Sequence, residues 1–149
     1  MFVLIVSSGR VGSAIAKTML AEGQEVSVLD EDPGAIALLE TGQNQSWEDR
    51  GGSFTVGTAL EIDALLEAGI ERADAFVAST DGDNTNLVIA QIAQRRFNVE
   101  RVVVRVLDPA RAKWYQEQGL LTVCPTQTAI EMLEAAVREE VGATDGSAA

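Results

Sequence analysis

The chain has 149 residues and a formal charge of −12. That length makes one domain with a sizeable buried core, while the acidity argues against nonspecific nucleic-acid or anionic-membrane binding, which both need clustered positive charge. With no histidine and a single cysteine, Cys124, an internal disulfide is excluded, a zinc site is disfavoured, and no Ser-His-Asp or Cys-His catalytic centre can be built from this chain alone.

Taken in order, short β-branched runs alternate with helical patterns. Phe2–Val6 reads as a strand, followed by a helix over about Val11–Glu22. Glu25–Leu29 is a second strand, with a helix from Pro33 to Thr41. The polar, glycine-flanked stretch Gly42–Gly52 (GQNQSWEDRGG) reads as a loose surface loop. Strand Ser53–Val56 precedes a helix at Leu60–Ala68, and strand Ala75–Ala78 a helix at Asn84–Phe97. Arg101–Val106 is followed by a helix at Pro109–Gln118, and Leu121–Val123 by a final helix over Thr126–Val141. The tail Gly142–Ala149 (GATDGSAA) is small and polar, and is expected to be disordered or a linker stump. Strict strand–helix alternation implies right-handed crossovers and a six-stranded, mostly parallel, doubly wound sheet with helices on both faces. No apolar run approaches the roughly 18–20 residues of a membrane span. The start also lacks the basic region of a signal peptide, so a cytosolic location is expected.

The chemistry begins at VLIVSSGRVGSAIA, residues 3–16. In the fingerprint G-x-G-x-x-G the second glycine lets backbone approach a pyrophosphate and the third allows close helix–strand packing. Gly9 and Gly12 hold those two places, and Ser7 stands where the tight turn usually has glycine. Amides at the start of the following helix, aided by its dipole, would face phosphate. A turn built for packing alone would look much the same. The second strand ends in SVLDED, and Asp30 lies 21 positions after Gly9, close to the roughly 20 expected of a ribose-binding acid. A carboxylate there accepts from both ribose hydroxyls and repels a 2′-phosphate, which disfavours NADP. Asp32 reads as the cap of the helix at Pro33.

In order and spacing, GRVGSAIA, VLDEDP, VGTALEIDALLEAGIERADAFVASTDGDNTNL and VVVRVLDP resemble the N-terminal (RCK, or TrkA-N) domain of the Trk/Ktr potassium-transport regulatory subunits, over roughly Met1 to Leu133. The resemblance implies a Rossmann domain that binds NAD(H), ATP, ADP or AMP and gates a potassium channel or transporter from the cytoplasmic side of the membrane. It places Gly9, Arg10 and Gly12 at the phosphates, with Ser7 and Val11 completing the turn, and Asp30 at the ribose with Glu31 beside it. Thr58 and Ala59 would lie beside the adenine, and Ser79, Thr80 and Asp81 across the fourth strand's end. Asn84 would open the next helix, and Arg105 would sit at the fifth strand's end. Arg10 offers a phosphate the positive charge that an acidic chain otherwise lacks.

The family pairs its domains into dimers and rings through the last helix and those before it. A homodimer is therefore expected, with Ile130, Leu133, Ala136 and Val137 forming one apolar stripe. The same stripe could instead cover the domain's own sheet. Besides Ser7, the chain departs from the pattern at Gly57-Thr58-Ala59, where the family has GDA, and it stops before the family's second ligand-binding domain. An excised domain, a single-domain protein or half of a split system would all fit. Two other classes compete. A small NAD-dependent oxidoreductase would need a proton donor such as Y-x-x-x-K, yet the one tyrosine, Tyr115, has no lysine four residues on. An empty Rossmann-like scaffold is the other, with Ser7 and Thr58 as its best support. The regulatory nucleotide-binding domain ranks first and no catalysis is expected. A side chain at position 7 is expected to cost affinity for a bulky dinucleotide pyrophosphate, which favours a mononucleotide such as ATP, ADP or AMP over NAD(H).

Overall fold

The computed structural model describes residues 1–139. Six strands, β1 (Phe2–Val6), β2 (Glu25–Asp30), β3 (Ser53–Val56), β4 (Ala75–Ala78), β5 (Arg101–Arg105) and β6 (Leu121–Val123), form one sheet in the order β3-β2-β1-β4-β5-β6. Every neighbouring pair is parallel. Parallel strands covered on both faces should be almost wholly apolar, and in β1, at the middle of the sheet, all five residues are buried. Because the chain leaves β1 toward β2 and later returns to pair β4 on the other side, the strand order reverses there. A crevice opens beyond the carboxyl ends at such a reversal.

The helices are α1 (Arg10–Ala21), α2 (Ile36–Glu40), α3 (Ile62–Glu67), α4 (Asp83–Arg95), α5 (Pro109–Glu117) and α6 (Pro125–Arg138). On one face Val3, Ile5, Val26 and Val28 pack with Ala16 of α1 and Leu39 of α2. On the other, Leu4, Phe76 and Val104 meet Leu65 of α3 and Ile89 and Ala93 of α4. Asp32 caps a 3₁₀ turn, Pro33–Ala35, by accepting from Gly34 N at 2.9 Å, and α2 follows it, so the expected helix Pro33–Thr41 is two shorter pieces. The last residues of the expected Thr126–Val141 helix, and the tail 142–149, lie outside the described residues.

The loop Gly42–Gly52 is not loose. Trp47 is 0% exposed and belongs to the core beneath α1 and α2. Its amide donates to Glu40 Oε2 at 2.7 Å and its indole Nε1 to Ser53 O at 2.9 Å. Arg50 covers the ring at 5.6 Å and donates to Leu39 O. Gly52 is the residue that admits the ring, since a Cβ there would stand 2.1 Å from Trp47 Cε2. The driving force is burial of a large aromatic surface, which outweighs the polarity of the residues around it.

The α1 side of the sheet is incomplete. Its apolar cluster reaches β4 through Ala75 and Val77, but the strand registers put Val103, Leu121 and Val123 on the same face. Leu121 and Val123 remain 53% and 50% exposed. Helix α6 has no buried residue, and Ile130, Leu133 and Val137 are all exposed. Within this chain, therefore, the stripe does not cover the domain's own sheet.

Candidate nucleotide-binding site

The β1–α1 turn is formed by backbone geometry that Ser7 adopts at a cost. Ser7 has φ +84°, the left-handed region that favours glycine, and its amide donates to Leu29 O at 2.8 Å. The turn is tight because α1 comes down directly on it: a Cβ on Gly12 would lie 1.9 Å from Ser7 O. Gly12 thus serves the packing that the third glycine of the fingerprint provides. Gly9 caps α1 in an extended conformation and offers no side chain to the helix's first amides, nor is there an acid in the first turn. Those N–H groups are left for an anion, at the positive end of a twelve-residue helix.

The carboxylate of Asp30 closes this turn against the next strand. Oδ2 accepts from Ser8 N at 2.7 Å and Oδ1 from Asp32 N at 2.9 Å. Ser8, buried, donates its hydroxyl to Ala35 O at 2.9 Å, which ties the β1–α1 turn to the segment after β2. A carboxylate has about four acceptor positions, so two remain on Asp30 for a ligand.

Above these groups runs an open cleft of about 670 Å³ along the carboxyl ends of β3, β2, β1 and β4, a size that suits a small-molecule ligand. Ser7 and Gly9 line its middle, and Asp30 and Glu31 border one side. Thr58 and Ala59 enter from the β3–α3 connection, and Thr80 and Asp81 from the β4–α4 connection. The other expected residues lie elsewhere. Arg10 and Val11 are exposed on the first turn of α1, outside the lining. Gly12 and Ser79 are buried beneath the turn, where Ser79 Oγ donates to Val6 O. Asn84 is exposed and accepts from Arg111 at 2.7 Å. Arg105 lies behind the lining, where its guanidinium donates to Thr80 O and pairs with Asp81 Oδ1 at 3.2 Å. Its Nε is buried without a partner among the described residues.

Among the lining residues that sequence reasoning did not assign to the site, three shape the ends of the cleft. Leu38 of α2 and Leu60 after β3 are 39% and 54% exposed and line the end of the cleft above β2 and β3; by pattern alone both read as helix apolar positions. Thr85 lines the opposite end. A fourth residue lines nothing yet organises that end: Asn86 is 0% exposed and makes four hydrogen bonds with Thr80 and Arg105.

A six-stranded parallel sheet with a reversed strand order, a glycine-capped first helix and a cleft at that reversal define a Rossmann-type α/β domain. The family model for the TrkA-N domain matches residues 3–126, and the chain belongs to that family. It is similar to the Trk system potassium uptake protein TrkA of Streptomyces coelicolor, with 40% identity over 134 residues covering 89% of this chain and 57% of that protein. The chain thus spans a little over half the length of that curated relative. Among solved structures, the TrkA-N domain of the inner membrane protein ybaL from Escherichia coli has the same fold, with a TM-score of 0.75 at 18% identity over 93% of this chain and 96% of that one. The Kef CTD of Shewanella denitrificans in its AMP-bound form superposes with a TM-score of 0.71 at 24% identity over 92% of this chain and 80% of that one.

Proposed function

We propose that this domain binds an adenine nucleotide in the cleft and, as a cytoplasmic regulatory element peripheral to the inner face of the membrane, uses that binding to gate a potassium channel or transporter. The observation that carries the reading is the Asp30–Ser8–Gly9 arrangement. A strand-end carboxylate with two acceptor positions to spare stands beside a helix start whose amides have no internal acceptor. Ribose hydroxyls donate to the first and phosphate oxygens accept from the second, as in nucleotide-binding folds of this topology. Leu38 and Leu60 supply apolar surface at the Asp30 end, where the base would lie. Arg10, exposed at the start of α1, adds positive charge at the phosphates. Membership of the TrkA-N family and the AMP-bound relative of the same fold support the assignment.

A binding role fits the chemistry better than catalysis. Tyr115 packs edge-on against Trp114 on α5, 4.8 Å between ring centroids, and lies outside the cleft lining. Among the described residues, no tyrosine therefore lines the cleft. The readout is assembly: the stripe of α6 and the flank at Leu121 and Val123 are both exposed apolar surfaces, and two copies can cover both by exchange of α6. A homodimer is the smallest such unit, and a ring of dimers the next. A nucleotide with a few kcal/mol of differential affinity for two arrangements of the paired domains is enough to shift between them. Isothermal titration calorimetry with AMP, ADP, ATP, NAD⁺ and NADH tests the assignment. Saturable heat from at least one is expected, and silence from all would leave an empty scaffold.

A further inference from the structure

The end of the cleft away from Leu38 and Leu60 is organised by Asn86, a residue that does not touch the cleft. Asn86 is wholly buried in α4. Its Nδ2 donates to Thr80 O at 2.9 Å and Arg105 O at 3.0 Å, and its Oδ1 accepts from Thr80 N at 2.9 Å. Two carbonyls on one side and a backbone N–H on the other fix the orientation of the amide, because a carbonyl can only accept and a backbone N–H can only donate. The fourth contact, Thr80 Oγ1 to Asn86 Oδ1 at 2.6 Å, therefore has one possible direction. Thr80 must donate its only hydroxyl proton to Asn86.

The consequence falls on what Thr80 offers the cleft. With its proton committed, Oγ1 presents lone pairs only. Gly82 N takes one at 3.3 Å; Gly82 O also lies 3.3 Å from Oγ1, but the proton goes to the much closer Asn86 Oδ1, and one acceptor position remains. Asp81, fully exposed beside it, is a second acceptor. The positive end of α4 has Asp83 in its first turn, and the Nη2 of Arg105, which lies behind the lining, is engaged by Thr80 O and by Asp81. A ligand hydroxyl is welcome at such a place. A phosphate, itself an acceptor, is not.

Resting on the nucleotide-binding reading above, we infer that Asn86 is a positioning residue which sets Thr80 as an acceptor. It thereby makes this end of the cleft select a hydroxyl-bearing group, the second ribose of an adenine dinucleotide, over the further phosphates of ATP. The preference for mononucleotides suggested by Ser7 is reversed by the opposite end of the same cleft.

Calorimetry on the parent and three variants tests this, with AMP as the internal reference because it does not reach Thr80. In the parent, NAD⁺ binds about three- to tenfold tighter than AMP, the worth of one net hydrogen bond, and ATP gains nothing over AMP. Asn86→Ala and Thr80→Val each abolish the NAD⁺ advantage, and the double variant does no more than either. Equal weakening of AMP and NAD⁺ by Asn86→Ala, or an NAD⁺ advantage that survives it, overturns the inference by reducing Asn86 to a structural residue. If Asn86→Ala fails to fold, Thr80→Ser, which keeps the hydroxyl, must retain the advantage that Thr80→Val loses; a Thr80→Val protein that retains it refutes the idea equally. A parent that binds no nucleotide overturns the functional reading and this inference together, before any variant is made.

Discussion

Replacing Ser7 by glycine should stabilise the protein, and the size of the gain follows from the turn. An L-residue in the left-handed region costs about 1–2 kcal/mol, and Ser7 sits there at φ +84°. Glycine relieves that strain but loses more backbone freedom on folding, an opposing term of roughly 0.5–1 kcal/mol. The Ser7 hydroxyl makes no hydrogen bond among the described residues, so nothing else is lost. The net expectation is about 0.5–1 kcal/mol of stabilisation, or a rise of roughly 1–4 °C in Tm for a domain of this size. Differential scanning calorimetry of the ligand-free Ser7→Gly protein measures it, with Ser7→Ala as the control. Alanine keeps a Cβ in the same strained backbone and should leave Tm nearly unchanged. A fall in Tm for Ser7→Gly, or an equal rise in both variants, would refute the strain argument. Nucleotide affinity of Ser7→Gly should equal or exceed that of the parent, because the side chain removed lines the cleft.

Asp30→Ala should weaken AMP binding by about 1.5–3 kcal/mol, the usual worth of hydrogen bonds to a charged group. It should also lower stability by about 1 kcal/mol through loss of the acceptor for Ser8 N, while Asp30→Asn, which keeps one oxygen, should recover most of that stability. Chemical denaturation beside calorimetry separates the two effects. Trp47→Ala should cost about 3–5 kcal/mol in urea unfolding, as for other buried aromatics, where a loose surface loop would give a change within roughly 0.5 kcal/mol. Leu133→Glu, on the exposed face of α6, should leave the urea midpoint unchanged yet convert a dimer to monomer by light scattering at high micromolar protein; a parent that is already monomeric there would dispose of the exchange of α6.

The parts of the fold that were legible in the sequence are those where one physical demand dominates. Strands buried on both faces must be apolar throughout, and β1 and β4 were placed to the residue on that ground, while the exposed edge strands β3 and β6 were placed as well by their short β-branched runs. Asp32 before Pro33 marked a helix start by a local hydrogen bond that sequence spacing alone specifies. Trp47 was misplaced because its neighbours are polar, and one indole was enough to fold the loop inward. Of the site, Ser7, Gly9, Asp30, Glu31, Thr58, Ala59, Thr80 and Asp81 do line one cleft, since strand ends and the turn between them are fixed by topology. In NTNLVIA the sequence drew attention to Asn84, at the surface, and passed over Asn86 two residues on. Which of two asparagines faces inward depends on the phase of α4 against β4 and β5, and that is set by packing rather than by spacing. Leu38 and Leu60 were missed for the same reason: an exposed leucine that lines a cleft and a leucine that fills a core look alike in a pattern.

The bare flank at Leu121 and Val123 has a colloidal consequence. An edge strand that shows apolar side chains and unpaired backbone invites nonspecific joining with other chains, and here two features oppose it. β6 is only three residues long, so it offers little to pair with, and a formal charge of −12 makes like molecules repel. The second defence depends on ionic strength. At about 1 M salt the Debye length shrinks to roughly 3 Å while apolar association persists, so concentrated salt should drive this acidic protein toward self-association, where it would loosen an assembly held by opposite charges.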